Sequence, residues 1–183
     1  MNPKKIIGLT GEIGSGKDTF CVYAKQNYQN VFVLRFSDAL TDVLKIFFDA
    51  VKREDQQWLG SSLRERFGAD ILVRALVKKA NSISEGIAIL NGIRAESEAQ
   101  AIKDAGGKII YITAEQKIRW ERVRIRGEKA DDNAPWEKFV EMGKASMELQ
   151  IPIIGAKADF KIENNGSKEA FCQEIKKIID SIQ

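Results

Sequence analysis

The sequence predicts an α/β fold in which a mostly parallel sheet is covered by helices on both faces. Short apolar runs alternate with longer helix-compatible patterns, which is the mark of repeated strand–helix–strand units. A glycine-rich turn joins the first such strand to the first such helix. At 183 residues with 44% hydrophobic residues, the chain is long enough to bury one substantial core, so a single domain with small insertions is expected.

The elements follow in order. Lys4 to Leu9, Val31 to Phe36, Ile87 to Asn91, Lys108 to Thr113 and Phe160 to Glu163 read as strands. Lys17 to Gln26, Leu40 to Phe48, Ala95 to Ala105 and Ala114 to Arg126 read as helices, with Gly106 and Gly107 as a stop signal. Two stretches break the alternation. Residues 54–84 form a mainly helical insertion with breaks expected at Gly60 and Gly68. Residues 127–135 are polar and charged, and a helix from Trp136 to about Met147 follows; this stretch is expected to be a mobile flap. From Ser167 to Ile182, the positions Phe171, Ile175, Ile178, Ile179 and Ile182 share one stripe, which predicts a docked C-terminal helix.

Composition excludes several chemistries. The chain has no histidine, which removes imidazole triads, imidazole metal sites and histidine general bases. Its two cysteines, Cys21 and Cys172, are far apart and lack C-x-x-C spacing, so neither a zinc site nor a disulfide framework is expected, and a reducing cytoplasm is the simplest setting. The first apolar run is too short for a signal-peptide core or a membrane span. A formal charge of +3 with no dominant basic block argues against a nucleic-acid coat and remains compatible with a local phosphate site. A monomer or small homo-oligomer is expected, with no nucleic-acid or membrane partner.

The most specific motif is Gly11-Glu-Ile-Gly-Ser-Gly-Lys17-Asp-Thr19. It lies between a strand and a helix, as the G-x-x-x-x-G-K-[ST] pattern requires. Glycines permit the tight loop, successive backbone N–H groups surround phosphate, and the lysine contacts the terminal oxygens. The unpaired N–H groups and dipole of the following helix favour the same anion. ATP is therefore expected at Gly11, Ile13, Gly14, Ser15, Gly16, Lys17, Asp18 and Thr19. Asp18 stands where a hydroxyl residue usually contacts Mg²⁺; its carboxylate can hold the metal directly or through water, or it can simply favour the positive helix start. A GTPase reading fails on two look-alikes. Asp104-Ala-Gly-Gly107 ends a predicted helix, and Ala156-Lys-Ala-Asp159 lacks the Asn or Thr of a base-recognition motif.

The loop form G-K-D-T, Phe36-Ser-Asp-Ala-Leu40, and Asn91-Gly-Ile-Arg94 followed by Glu98 and Ala105-Gly-Gly107 resemble deoxynucleoside monophosphate kinases. Arg122 to Gly127, Gln150, Ala158-Asp159 and Asn164 to Ser167 are more similar to dephospho-coenzyme A kinases. Together they mark a resemblance, over nearly the whole chain, to small P-loop kinases of the nucleoside monophosphate kinase superfamily. It implies a three-layer P-loop NTPase fold with a five-stranded parallel sheet over residues 1–183, an acceptor-binding insertion at 54–84 and a lid at 119–147. It also implies ATP and Mg²⁺ as partners in phosphoryl transfer to a small nucleotide-like acceptor, a monophosphate or the 3′-hydroxyl of dephospho-coenzyme A.

Under this resemblance Arg64 and Arg94 would hold the acceptor, since guanidinium forks match phosphate oxygens. Arg119, Arg122 and Arg126 share a helix face, and Arg122 and Arg126 would act on the transferring group together with Lys17. Asp38 is a candidate base for a hydroxyl acceptor, or an acceptor contact, or a helix cap. Asn164 would frame adenine. Asn91 is a second departure, because this strand end often carries an aspartate that orients metal-bound water. Asp18 and Asn91 leave a non-enzymatic ATP-binding regulator as an alternative.

Overall fold

The computed structural model describes residues 4–127 and 130–182. Its elements are β1 (Lys5–Thr10), α1 (Lys17–Asn27), β2 (Val31–Arg35), α2 (Phe36–Leu44), α3 (Arg53–Phe67), α4 (Ile71–Asn81), β3 (Ile87–Ile93) and α5 (Glu96–Asp104). They continue with β4 (Lys108–Thr113), α6 (Gln116–Arg126), a 3₁₀ turn (Ala130–Asn133), α7 (Trp136–Met142), α8 (Ser146–Ala156), β5 (Phe160–Glu163) and α9 (Lys168–Ser181). The sheet runs β2-β3-β1-β4-β5, and every pairing is parallel.

Strand residues alternate between two cores, because successive side chains on a strand point to opposite faces. Ile7, Leu9, Ile89, Ile110 and Ile112 pack with Phe20 of α1 and with Phe171, Ile175 and Ile179 of α9. Ile6, Ala88, Leu90 and Ile109 pack with Val73 and Leu76 of α4, Ile102 of α5 and Ile154 of α8. Burial on both faces explains why these strands read as unbroken apolar runs. The C-terminal stripe docks as its spacing predicts, and α9 opens on Ser167, whose side chain accepts from the Ala170 N–H at 3.2 Å.

Four boundaries differ from the sequence expectation. First, β2 ends at Arg35 and α2 begins at Phe36, four residues before the expected Leu40, which moves Asp38 into the helix's first turn. Second, Gly60 does not break the insertion. It is buried inside α3, where a β-carbon would stand 3.2 Å from Leu40 Cδ1, so its small size lets α2 and α3 approach. Gly68 does end α3. Third, the helix from Trp136 stops at Met142. Fourth, a separate helix, α8, spans Ser146–Ala156 with Pro152 inside it. Proline removes one helical hydrogen bond, yet buried Ile151 and Ile154 hold α8 on the sheet, and a β-carbon on Gly155 would stand 2.4 Å from the Tyr111 ring.

The expected flap falls partly outside the described residues, at 128–129. Its described remainder is the 3₁₀ turn, whose Asp132 is buried. The aromatic residues of this region pack together: Trp120 meets Trp136 edge-on at 5.6 Å, and Trp136 stacks on Phe139 at 6.5 Å.

Candidate functional site

The loop between β1 and α1 crosses the carboxyl end of the sheet, where ligands of open parallel sheets bind. Two of its glycines have no substitute. Gly16 caps α1 with φ +115°, and a β-carbon there would meet Asn164 Nδ2 at 2.5 Å. Gly14 has φ +80°, and its β-carbon would meet the Arg119 carbonyl oxygen at 2.5 Å. Both positions need left-handed backbone in closely packed surroundings.

Neighbouring elements hold the loop from outside. The Asn164 amide donates to the Ser15 carbonyl at 2.9 Å, and the Asn164 N–H donates to the Thr113 carbonyl at 2.7 Å. Arg122 Nη1 donates to the Asn164 carbonyl at 2.9 Å, and Nη2 reaches Asn164 Oδ1 at 3.3 Å. Arg119 donates to the carbonyls of Ala114 at 2.9 Å and Ile13 at 3.2 Å. Tyr111 donates to Glu12 at 2.6 Å. Asn164, buried and bonded this way, therefore braces the loop as well as lining the cavity beside it.

That cavity has a volume of about 650 Å³. Its walls include Gly16, Lys17, Asp18, Thr19, Arg94, Arg122 and Arg126. Lys17 Nζ folds back onto the carbonyl oxygens of Gly11 at 2.5 Å and Glu12 at 2.9 Å. Burial, reinforced by the nearby Arg94 charge, pulls the Lys17 ammonium down to about 8. Partly desolvated positive charge gathered on one wall in this way is suited to receive phosphate.

The predicted acceptor residues occupy different situations. Arg94 reaches the cavity and forms an ion pair with Glu148, a buried carboxylate on α8. The Arg94 backbone N–H donates to buried Glu98 at 2.9 Å, and the charges of Arg64 and Arg94 both act on that carboxylate, whose pKa burial raises. Glu98 thus links the two arginines, although Arg64 does not line the cavity. Asp38 is exposed, takes a 3.3 Å hydrogen bond from Ser37, and is likewise not part of the cavity wall.

Arg126 forms a two-pronged pair with Asp132, at 2.8 and 2.5 Å. Asp18 accepts from Arg35 and from Asn91, each at 3.1 Å. Oxygen donors fit Mg²⁺, which binds through one or two carboxylates plus substrate phosphates. Asp18 and Thr19 supply such oxygens on the cavity wall. Among the described residues, no group of three or more Cys, Asp or Glu side chains gathers for a metal.

Sequence reasoning missed Arg35, Glu148 and Asp132 as members of the site. None of them belongs to a recognisable motif, and only three-dimensional proximity reveals its partner.

A family model described as an AAA domain (AAA_18) matches residues 7–143. The chain belongs to this AAA-domain family. Its domain is a P-loop domain, and its solved neighbours include small P-loop kinases. A UPF0200 protein from Thermococcus kodakarensis is 27% identical over 97% of both chains, and one from Saccharolobus islandicus is 26% identical over 97% of this chain and 94% of its own. Shikimate kinase from Bacteroides thetaiotaomicron shares the fold with a TM-score of 0.60 at 16% identity, covering 96% of this chain and 98% of that one. Dephospho-CoA kinase from Campylobacter jejuni shares it with a TM-score of 0.54 at 21% identity over 98% of each chain. The expected three-layer α/β P-loop fold, with its five-stranded parallel sheet, is therefore the fold of this protein. No helix among the described residues is long and apolar enough to cross a membrane.

Proposed function

We propose that this protein transfers the terminal phosphoryl group of ATP to a small nucleotide-like acceptor, a nucleoside or deoxynucleoside monophosphate. One observation carries the reading: a single cavity joins the glycine loop and Lys17 to Arg94, just after β3, and to Arg122 and Arg126 of α6. In this reading Gly11, Ile13, Gly14, Ser15, Gly16 and Thr19 surround the ATP phosphates with backbone and hydroxyl donors. Lys17 turns from the Gly11 and Glu12 carbonyls to the β and γ oxygens. The bond between the γ-phosphorus and the β–γ bridging oxygen breaks, and a bond to an oxygen of the acceptor phosphate forms, giving ADP and a nucleoside diphosphate. Arg122 and Arg126 stabilise charge on the moving group, the part of such reactions in which electrostatics and positioning dominate.

Arg94, held by Glu148, receives the acceptor phosphate, and Arg64 supports it through Glu98. Asp18 would hold Mg²⁺, which would supply positive charge to offset that of the ATP phosphates. Residues 54–84 act as the acceptor-binding insertion and 119–147 as the lid of one domain.

An acceptor phosphate is already ionised near neutral pH and needs no general base, whereas a ribose hydroxyl benefits from one. Asp38, the candidate base, lies off the cavity wall, which favours the monophosphate over dephospho-coenzyme A. A coupled assay with ATP, Mg²⁺, a panel of monophosphates and dephospho-coenzyme A tests the proposal. Turnover is expected with a monophosphate, and Lys17→Ala is expected to abolish it in a folded protein. Tight ATP binding without turnover of any acceptor would refute the enzyme and favour a nucleotide-binding regulator.

A further inference from the structure

Asp18 and Asn91, the two residues that depart from the usual pattern, touch each other. Asn91 Nδ2 and Arg35 Nη2 both donate to the same carboxylate oxygen, Asp18 Oδ1, each at 3.1 Å. Arg35 and Asn91 are register partners at the carboxyl ends of adjacent strands β2 and β3. The three side chains therefore meet at the carboxyl edge of the sheet, where Asp18 is the member that lines the cavity beside Lys17. The Asp18 and Arg35 side chains are 59% and 44% exposed, so their ion pair contributes little and separates easily.

We propose that Asp18 and Asn91 are one metal-ordering pair, and that Arg35 is an internal cation that occupies it until a divalent ion arrives with ATP. The inference rests on the ATP-binding reading given above. It concerns the division of charge within the pair, with the carboxylate on the loop side and the neutral amide on the strand side.

The chemistry is specific. A guanidinium on a carboxylate oxygen marks a position where positive charge is favourable, and a hard cation prefers the same oxygen. Half a turn of the Asn91 amide about its terminal torsion exchanges Nδ2 for Oδ1, converting a donor to Asp18 into a second oxygen ligand for a metal or its water. Mg²⁺ and Mn²⁺ both accept a site of one carboxylate, one amide oxygen and phosphates.

Two consequences separate this arrangement from a purely structural contact. Removing Arg35 eliminates a competitor and strengthens metal binding, whereas a structural ion pair would lose order and weaken it. Exchanging the two residue types across the pair preserves its net charge and its ligands.

The test measures the affinity of the full chain for ATP with and without Mn²⁺, in the parent and in Asp18→Asn, Asn91→Asp, Arg35→Ala and Asp18→Asn/Asn91→Asp variants. The ratio of the two affinities reports metal coupling independently of turnover. Electron paramagnetic resonance of Mn²⁺ in the ADP complex supplies a direct reading of ligation by ¹³C-carboxyl aspartate. Asp18→Asn is expected to lower the ratio about tenfold and to abolish the carbon coupling at that residue. Arg35→Ala is expected to raise the ratio, and the double exchange is expected to restore it to within about threefold of the parent. An Arg35→Ala ratio at or below the parent value, or a double variant no better than Asp18→Asn, overturns the pair. Metal-free ATP affinity that persists in all variants keeps such a failure separate from failure of the ATP site. Absence of ATP binding in the parent refutes the nucleotide reading and this proposal together.

Discussion

Replacing Lys17 with methionine isolates the energy stored in the unloaded site. The ammonium, moved from 10.5 to about 8 by burial and the Arg94 charge, is disfavoured in the folded protein at pH 7 by about 3 kcal/mol relative to the unfolded chain. Its hydrogen bonds to the Gly11 and Glu12 carbonyls contribute about 1 kcal/mol each in return. Lys17→Met removes both effects, so a net gain of about 1 kcal/mol at pH 7 is expected, raising Tm by roughly 2–4 °C.

The pH dependence is the sharper measurement. Because the folded pKa lies below the unfolded one, the unfolded state binds more protons between about 8 and 10.5, and parent stability rises with pH through that window. From pH 7 to pH 10 the Lys17 contribution recovers about 2.5 kcal/mol, and the methionine variant lacks this recovery. Urea denaturation of both proteins across the range provides the assay. Other groups that titrate there, including Cys21, which burial pushes up to about 12 with only a minor opposing effect of the Lys17 charge, contribute to both proteins and largely cancel in the difference. Parallel stability curves for parent and variant would refute the reasoning. A steeper parent curve would identify desolvated lysine charge as energy that an incoming phosphate recovers.

Three further outcomes are expected. Asn164→Ala removes a buried amide that joins Ser15 to Arg122 and should destabilise the fold by about 2 kcal/mol, measured by the same denaturation. Arg122→Ala should lower turnover more than it weakens ATP binding, and an effect confined to binding would make Arg122 an anchor. Glu148→Gln removes the charged partner of Arg94; since hydrogen bonds between charged groups contribute about 1.5–3 kcal/mol, acceptor KM should rise roughly tenfold with ATP affinity preserved, as steady-state kinetics and calorimetry would report.

The legibility of this chain followed the range of the interactions. The strand at Lys108–Thr113 and the helix at Lys168–Ser181 were readable because unbroken apolar runs and a 3.6-residue stripe are local consequences of burial. The glycine loop was readable because left-handed backbone at Gly14 and Gly16 leaves few alternatives to glycine. Helix α8 was obscured by Pro152, whose local penalty is outweighed by packing against Tyr111 and the sheet. Gly60 carried the opposite error, since a residue that weakens an isolated helix also permits close helix packing.

By itself the sequence determined the α/β class, the phosphate loop, and the identity of Lys17, Arg94, Arg122 and Arg126 as candidates. Only the tertiary structure decided which charges share a site. It joined Asp18 to Asn91 across 73 positions and Arg94 to Glu148 across 54, and it left Asp38 outside the cavity. The reason is physical: hydrophobic periodicity and turn chemistry act within a few residues along the chain. A carboxylate's partner is chosen by distance in space, which the order of strands in the sheet creates.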